Sequence, residues 1–107
     1  MVLGGAVAGQ EAVALLERIE HFPDAVAMVT PYMYHNYVDA LLKAGLTEKA
    51  FSVLCTYWGG MADQNADTFW ELYDPRDPDA SPYGGTIVNS YCHAWSCAPA
   101  YFLRKFF

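Results

Sequence analysis

Apolar residues recur at helical spacing along the chain, and no pair of strands joined by a hairpin turn is evident. The first such stripe lies between Gln10 and His21, with charged residues on the opposite side. The Phe22-Pro23-Asp24 sequence then interrupts the pattern, because proline and aspartate favour turns. We therefore predict an amphipathic helix over 10–21, whose apolar stripe consists of Ala12, Val13, Leu15, Leu16 and Ile19.

Two further helices are predicted to form an antiparallel hairpin. Thr30-Pro31 supplies an N-cap hydroxyl followed by proline at the first helical position, so a helix should run from there to about Ala44. Gly45 suits the residue that follows a helix end. Thr47-Glu48 restarts the helical pattern, and Gly59-Gly60 is expected to end it. So short a connection requires the two helices to lie antiparallel.

The pattern changes in the stretch 61–89, which is rich in Asp, Asn, Pro and Gly. A loop of this length in a compact domain is usually functional or disordered, and its aromatic residues favour an ordered, functional loop. The last stretch, 90–107, is apolar and predicts a helix that faces a core, with Pro99 marking either its true start or a kink. The aromatic residues of the loop are Phe69, Trp70, Tyr73 and Tyr83.

These patterns predict an all-α fold of two to three helical hairpins, and the composition indicates that it is incomplete. Of the 107 residues, 54% are hydrophobic and only 17% are charged, which is more apolar than an average soluble domain. A piece of a larger protein has less surface to cover with polar groups than a separate small domain. The apolar start, Met1 to Gly9, lacks the basic segment of a signal peptide and could extend the first helix backwards. We therefore expect a single segment, 1–107, of a larger domain.

Charge and cysteine usage exclude several classes of function. The net charge of −6 repels phosphate, so we expect neither nucleic acid nor an anionic membrane as a partner. No apolar run reaches the ~18 residues of a membrane span. Cys55, Cys92 and Cys97 form no CxxC pair and are expected to be free, buried thiols. Asp74 to Asp79 lacks the spacing of a calcium loop, so neither a metal nor a cofactor is expected.

The Phe69-Trp70-Glu71 sequence carries the most specific chemistry in the chain. A carboxylate flanked by aromatic residues has the components of a glycosidase site, because aromatic rings stack on sugars and a partly dry setting tunes the carboxylate. The alternative for Glu71 is a structural role in helix capping or ion pairing. Ser90 and Ser96 do not form the Gly-x-Ser-x-Gly elbow of a serine hydrolase.

Three segments together resemble the late part of the catalytic domain of bacterial alpha-L-rhamnosidases of glycoside hydrolase family 78. They are 57–61 (YWGGM), 66–71 (ADTFWE) and 90–96 (SYCHAWS), the last followed by Pro99. Their order and spacing both match, and the resemblance covers essentially the whole chain. It implies that the hairpins are a share of an (α/α)6 barrel, in which six helical hairpins form a ring.

The resemblance also implies roles for individual residues. In that family hydrolysis inverts the anomeric centre, and the glutamate at the position of Glu71 is the general base that activates water. The histidine at the position of His93 contacts the bound sugar. Trp70 and Asp74 belong to the same motif and are expected to shape the substrate site, to which we add Trp95 beside the histidine.

The family's general acid lies earlier in the catalytic domain, in a region to which this chain has no counterpart. An inverting enzyme needs two carboxylates roughly 6.5–9.5 Å apart. We therefore expect the isolated chain to be inactive. Its expected partners are a rhamnose-containing glycan or glycoside and the missing part of the catalytic domain, and its location depends on the parent protein.

Several alternatives stay open from the sequence. Another glycosidase with an (α/α)6 barrel would use the same glutamate on a different glycan. A non-catalytic helical interaction module is also compatible with the aromatic composition, although the fixed period of a repeat protein is absent. Among single residues, His93 could be a core histidine, and tryptophans such as Trp58 and Trp95 are more often core than sugar platform. His21 and His35 are expected to be surface or helix-packing residues.

Overall fold

The computed structural model describes all residues from 1 to 107 and contains four α-helices and no strand. The predicted all-α class is confirmed. The helices are α1 (Gly9–Ile19), α2 (Pro31–Lys43), α3 (Thr47–Asp63) and α4 (Ala98–Phe106), and two short 3-10 turns cover Thr86–Val88 and Ala94–Ser96. None of the helices is long and apolar enough to cross a membrane.

The predicted end of the third helix is wrong, whereas one of the two interpretations of Pro99 is confirmed. The third helix does not stop at Gly59-Gly60 but continues to Asp63, because Met61 beyond the glycines is 2% exposed and belongs to the core. Burial of that side chain outweighs the ~1 kcal/mol cost of a glycine inside a helix. The last helix begins at Ala98, and Pro99 lies in its first turn, so the true-start interpretation of this proline is confirmed. The irregular segment is therefore 64–97.

The turn between α2 and α3 is built as the sequence predicts. Gly45 has φ of 82°, in the left-handed region that glycine adopts without strain. Its backbone N–H donates to Leu42 O at 3.1 Å, and the N–H of Leu46 donates to Leu41 O at 2.9 Å. This pair of bonds is the Schellman arrangement, which satisfies the last carbonyls of α2 and turns the chain into α3.

The start of α2 depends on Thr30, whose Oγ1 accepts a hydrogen bond from the backbone N–H of Met33 at 3.3 Å. We expect Thr30→Ala to destabilise the fold by about 0.5–1 kcal/mol, because the Met33 N–H loses one of its two acceptors and keeps only the carbonyl of Thr30 at 3.0 Å. The midpoint of urea unfolding measures the change. Thr47→Ala is the matched control, since α3 has no side-chain cap bond, and equal losses in both variants would contradict the capping role.

The core lies between α2 and α3, and α1 packs against it from the side. Fully buried side chains include Val38 and Leu41 of α2 and Ala50 of α3. The end of α1 is tied down by Glu20, which accepts hydrogen bonds from Tyr37 Oη at 2.6 Å and Lys49 Nζ at 3.0 Å. One carboxylate therefore joins α1 to both helices of the hairpin.

Helix α4 packs beside α2, and the two run in the same direction. The His35 ring of α2 lies 4.8 Å from the Phe102 ring and 5.8 Å from the Tyr101 ring, so His35 is a helix-packing residue as predicted. Tyr32, near the start of α2, meets Trp95 just before α4, and Asp39, near the end of α2, lies near Lys105 at the end of α4. The helices α2 and α4 therefore begin at the same end of the molecule. The loop that carries Glu71 lies at this end.

The three cysteines are free, as predicted, but they are exposed rather than buried. Cys55 illustrates the reason. It follows Leu54 on α3, and Leu54 is the residue that faces the core, so the next position turns toward solvent.

Candidate active site

Two extended segments lie antiparallel at the common end of α2 and α4. The backbone N–H of Glu71 donates to Ser90 O at 2.8 Å, and the N–H of His93 donates to Phe69 O at 2.7 Å. The Thr68 hydroxyl donates to the carbonyl of Tyr91 beside them. This pairing brings together Glu71 and His93, which are 22 positions apart in the sequence.

Two neighbouring side chains of α3 hold both segments in place. Tyr57 Oη donates to Tyr73 O at 2.9 Å, and Trp58 Nε1 donates to Ser96 O at 2.8 Å. Both rings are buried, so Trp58 is a core residue, the more common role for a tryptophan. The predicted catalytic segment is therefore anchored to the hydrophobic core just after Glu71 and again just after His93.

The Glu71 carboxylate accepts one hydrogen bond on each oxygen. Tyr83 Oη donates to Oε1 at 2.7 Å, and the backbone N–H of Ser90 donates to Oε2 at 3.0 Å. The Tyr83 hydroxyl, the Ser90 N–H and the nearby His93 together lower the pKa of Glu71 below its ordinary value. The side chain is therefore ionised at neutral pH, which is the protonation state that a general base requires.

His93 lies near the Glu71 carboxylate, and Trp95 contacts the Glu71 backbone. The two ring centroids are 4.3 Å apart, and Trp95 Nε1 donates to the carbonyl of Glu71 at 3.1 Å. Trp95 is 42% exposed, so it is not a core tryptophan and leaves ring surface free for a ligand. Its other side meets Tyr32 in the first turn of α2, with ring centroids 5.7 Å apart. Glu71, His93 and Trp95 thus form one cluster.

Trp70 and Asp74 are not part of that cluster. Trp70 is half-buried and meets Tyr73 and Tyr91 edge-on, with centroids 6.2 Å and 5.3 Å away. Asp74 is 8% exposed, and its carboxylate accepts two side-chain hydrogen bonds from Arg76, at 2.9 Å and 2.7 Å. The Arg76 guanidinium also lowers the pKa of Asp74. Both residues support the loop in this chain, and their contact with substrate stays a prediction.

Sequence reasoning missed the two partners of the Glu71 carboxylate. The sequence indicates Tyr83 as an aromatic residue of an ordered loop and Ser90 as the first residue of the 90–96 segment, but it predicts no contact of either with Glu71. Neither local periodicity nor a motif relates Tyr83 to a glutamate 12 positions earlier. The Pro and Gly residues around Tyr83 indicate a turn whose middle residue projects outward. This turn is the one feature of the sequence that indicates an exposed position for Tyr83.

A sizeable cavity lies elsewhere in the chain. It has a volume of about 750 Å³ and opens between the end of α1, the 22–28 segment, α2 and α3, with Ile19, Tyr37, Val53 and Arg76 in its walls. Glu71 does not line it. The Glu71 carboxylate lies outside this cavity, between the loop residue Tyr83 and the backbone of Ser90.

Comparison with solved structures identifies a similar protein. The chain matches a rhamnosidase from Klebsiella oxytoca with rhamnose bound, with 50% sequence identity and a TM-score of 0.92. The match covers 98% of this chain and 20% of that chain. The resemblance to part of a rhamnosidase is therefore confirmed. No protein-family model and no curated protein matches the chain.

Proposed function

We propose that this chain, which matches one segment of a rhamnosidase, supplies the general base of an inverting glycoside hydrolase. Its substrates would be terminal alpha-L-rhamnosides. Glu71 would remove a proton from the water that attacks the anomeric carbon, while an acid from outside the segment protonates the leaving oxygen. The observation that carries the proposal is an ionised Glu71 beside His93 and Trp95, in a chain half identical to a rhamnosidase over 98% of its length.

The cluster offers complementary contacts for a sugar. The imidazole of His93 can exchange hydrogen bonds with ring hydroxyls, and the exposed face of Trp95 can stack against the apolar face of a deoxysugar. Rhamnose carries a methyl group in place of one hydroxymethyl, so an aromatic wall suits it. Trp70 and Asp74 would contribute indirectly, by stabilising the segment that carries Glu71.

The proposed partner within the enzyme is the remainder of an (α/α)6 catalytic domain. Several large apolar side chains of this segment are exposed, among them Val26 at 85% and Ile87 at 93%. Such residues ordinarily lie against other protein. The chain spans 20% of the length of the Klebsiella protein, and in the proposed assembly the remaining part brings the general acid opposite Glu71.

The proposal is tested with a chimera in which this chain replaces the matching segment of the Klebsiella rhamnosidase. We expect the chimera to release nitrophenol from an aryl alpha-L-rhamnoside, and we expect no release by the 107-residue chain alone. Proton NMR of the first product should show β-rhamnose, the inverted anomer. A folded but inactive chimera, or α-rhamnose as the first product, would overturn the proposal.

A further inference from the structure

The loop from Ala80 to Asn89 is closed by its own polar contacts. Ser81 Oγ lies 2.9 Å from Gly85 O and 2.8 Å from Asn89 Oδ1, and Asn89 Nδ2 donates to Ala80 O at 3.3 Å. The backbone N–H of Tyr83 also donates to Ser81 Oγ, at 3.2 Å. The loop therefore has a defined shape although it contains little regular structure and has few buried residues.

This loop contacts the Glu71 carboxylate from near its tip, and the residue that follows the loop contacts it a second time. Tyr83, near its tip, donates to Oε1, while Ser90, directly after Asn89, donates to Oε2 through its backbone N–H. The Tyr83 ring is 57% exposed, so burial of the ring does not explain its placement. Its one specific side-chain contact is the hydrogen bond to Glu71.

We propose that Tyr83 is a positioning residue for the base, which fixes one carboxylate oxygen of Glu71 so that the remaining lone pairs face the attacking water. A carboxylate has about four acceptor sites, and Tyr83 and Ser90 occupy two of them. Without the tyrosine hydroxyl, only the Ser90 N–H would restrict rotation of the carboxylate about its last torsion. The catalytic role of Tyr83 rests on the proposed function. The hydrogen bond from Tyr83 to Glu71 is independent of it.

The contact is tested by NMR titration of the 13C-labelled glutamate carboxyl groups in the 107-residue chain, with Glu71 assigned from the Glu71→Gln spectrum. We expect Tyr83→Phe to raise the pKa of Glu71, because a hydrogen bond that favours the charged form is lost. Tyr91→Phe is the matched control, since its hydroxyl donates to Thr86 O of the same loop and not to Glu71. We expect no change in the Glu71 pKa there.

A Glu71 pKa that is unchanged by Tyr83→Phe would overturn the proposal, as would an equal rise in Tyr91→Phe. Ser81→Ala removes contacts that shape the loop but leaves the tyrosine hydroxyl in place, and it should raise the Glu71 pKa less than Tyr83→Phe does.

In the chimera, Tyr83→Phe should lower kcat with little change in KM and move the acid limb of the rate profile to higher pH. A titration that succeeds while every chimera is inactive would reject the proposed function and leave the contact established.

Discussion

Glu71→Gln in the chimera is expected to reduce rhamnoside hydrolysis by about 10²–10⁴-fold, the usual contribution of a positioned general base. Glutamine keeps the size of the side chain, and its single carbonyl oxygen can still accept one of the two hydrogen bonds from Tyr83 and Ser90, but it cannot take a proton from water. The loss should therefore appear in kcat, with KM nearly unchanged. Initial rates with an aryl rhamnoside over a range of substrate concentrations provide the measurement.

Two controls separate loss of the base from loss of the fold. Glu17→Gln removes an exposed carboxylate on α1, far along the chain from the site, and should leave the rate unchanged. Azide, a nucleophile that needs no deprotonation, should restore turnover in Glu71→Gln and give a glycosyl azide of inverted configuration. Near-normal rates in Glu71→Gln without azide would show that Glu71 is a structural residue.

Gly60→Ala is expected to destabilise the chain by an amount on the order of 1–3 kcal/mol, the usual range for overpacking a filled interior. A Cβ at Gly60 would lie 2.7 Å from Tyr73 Oη and 3.0 Å from Tyr73 Cε1. The ring cannot simply swing away, because Tyr73 is 6% exposed and its backbone is bonded to both Tyr57 and Val29. Urea unfolding followed by near-UV circular dichroism measures the loss.

Gly59→Ala is a control of opposite sign one position earlier in the same helix. A Cβ there meets no heavy atom within 4 Å, so the helix should gain about 0.5–1 kcal/mol from the smaller entropy cost of alanine. If the two substitutions changed the unfolding midpoint in the same direction, the close approach of Tyr73 would not be the reason for glycine at position 60.

Most of the helical framework follows from local sequence. The N-cap at Thr30 and the left-handed Gly45 are decided within a few residues, and both are found in the structure. The stripe of α1 is found in part, because Ala12 and Leu16 are buried whereas Ile19 is 45% exposed. The end of α3 is different, because two glycines locally favour termination while burial of Met61 favours continuation. Tertiary packing decides where α3 ends. A short window of sequence cannot predict this, because the residues that pack against Met61 lie elsewhere in the chain.

The site could be predicted only in part for the same reason. The resemblance singled out Glu71 and His93, and the structure places them side by side. It does not determine that Tyr83 reaches back to the carboxylate, since this depends on the path of a loop without periodicity. The ion pair of Asp74 with Arg76 is a local contact that the Asp-Pro-Arg sequence permits but does not require.

The two adjacent anchors on α3, Tyr57 and Trp58, have a consequence for how this segment can diversify. Between the points they hold, Tyr73 and Ser96, the stretch Pro75 to Asp79 is exposed. Insertions in an exposed loop between fixed ends cost little, since closure entropy grows only slowly with length. A longer stretch here would therefore leave Glu71 and His93 in place, because both flanking segments are held by the same helix.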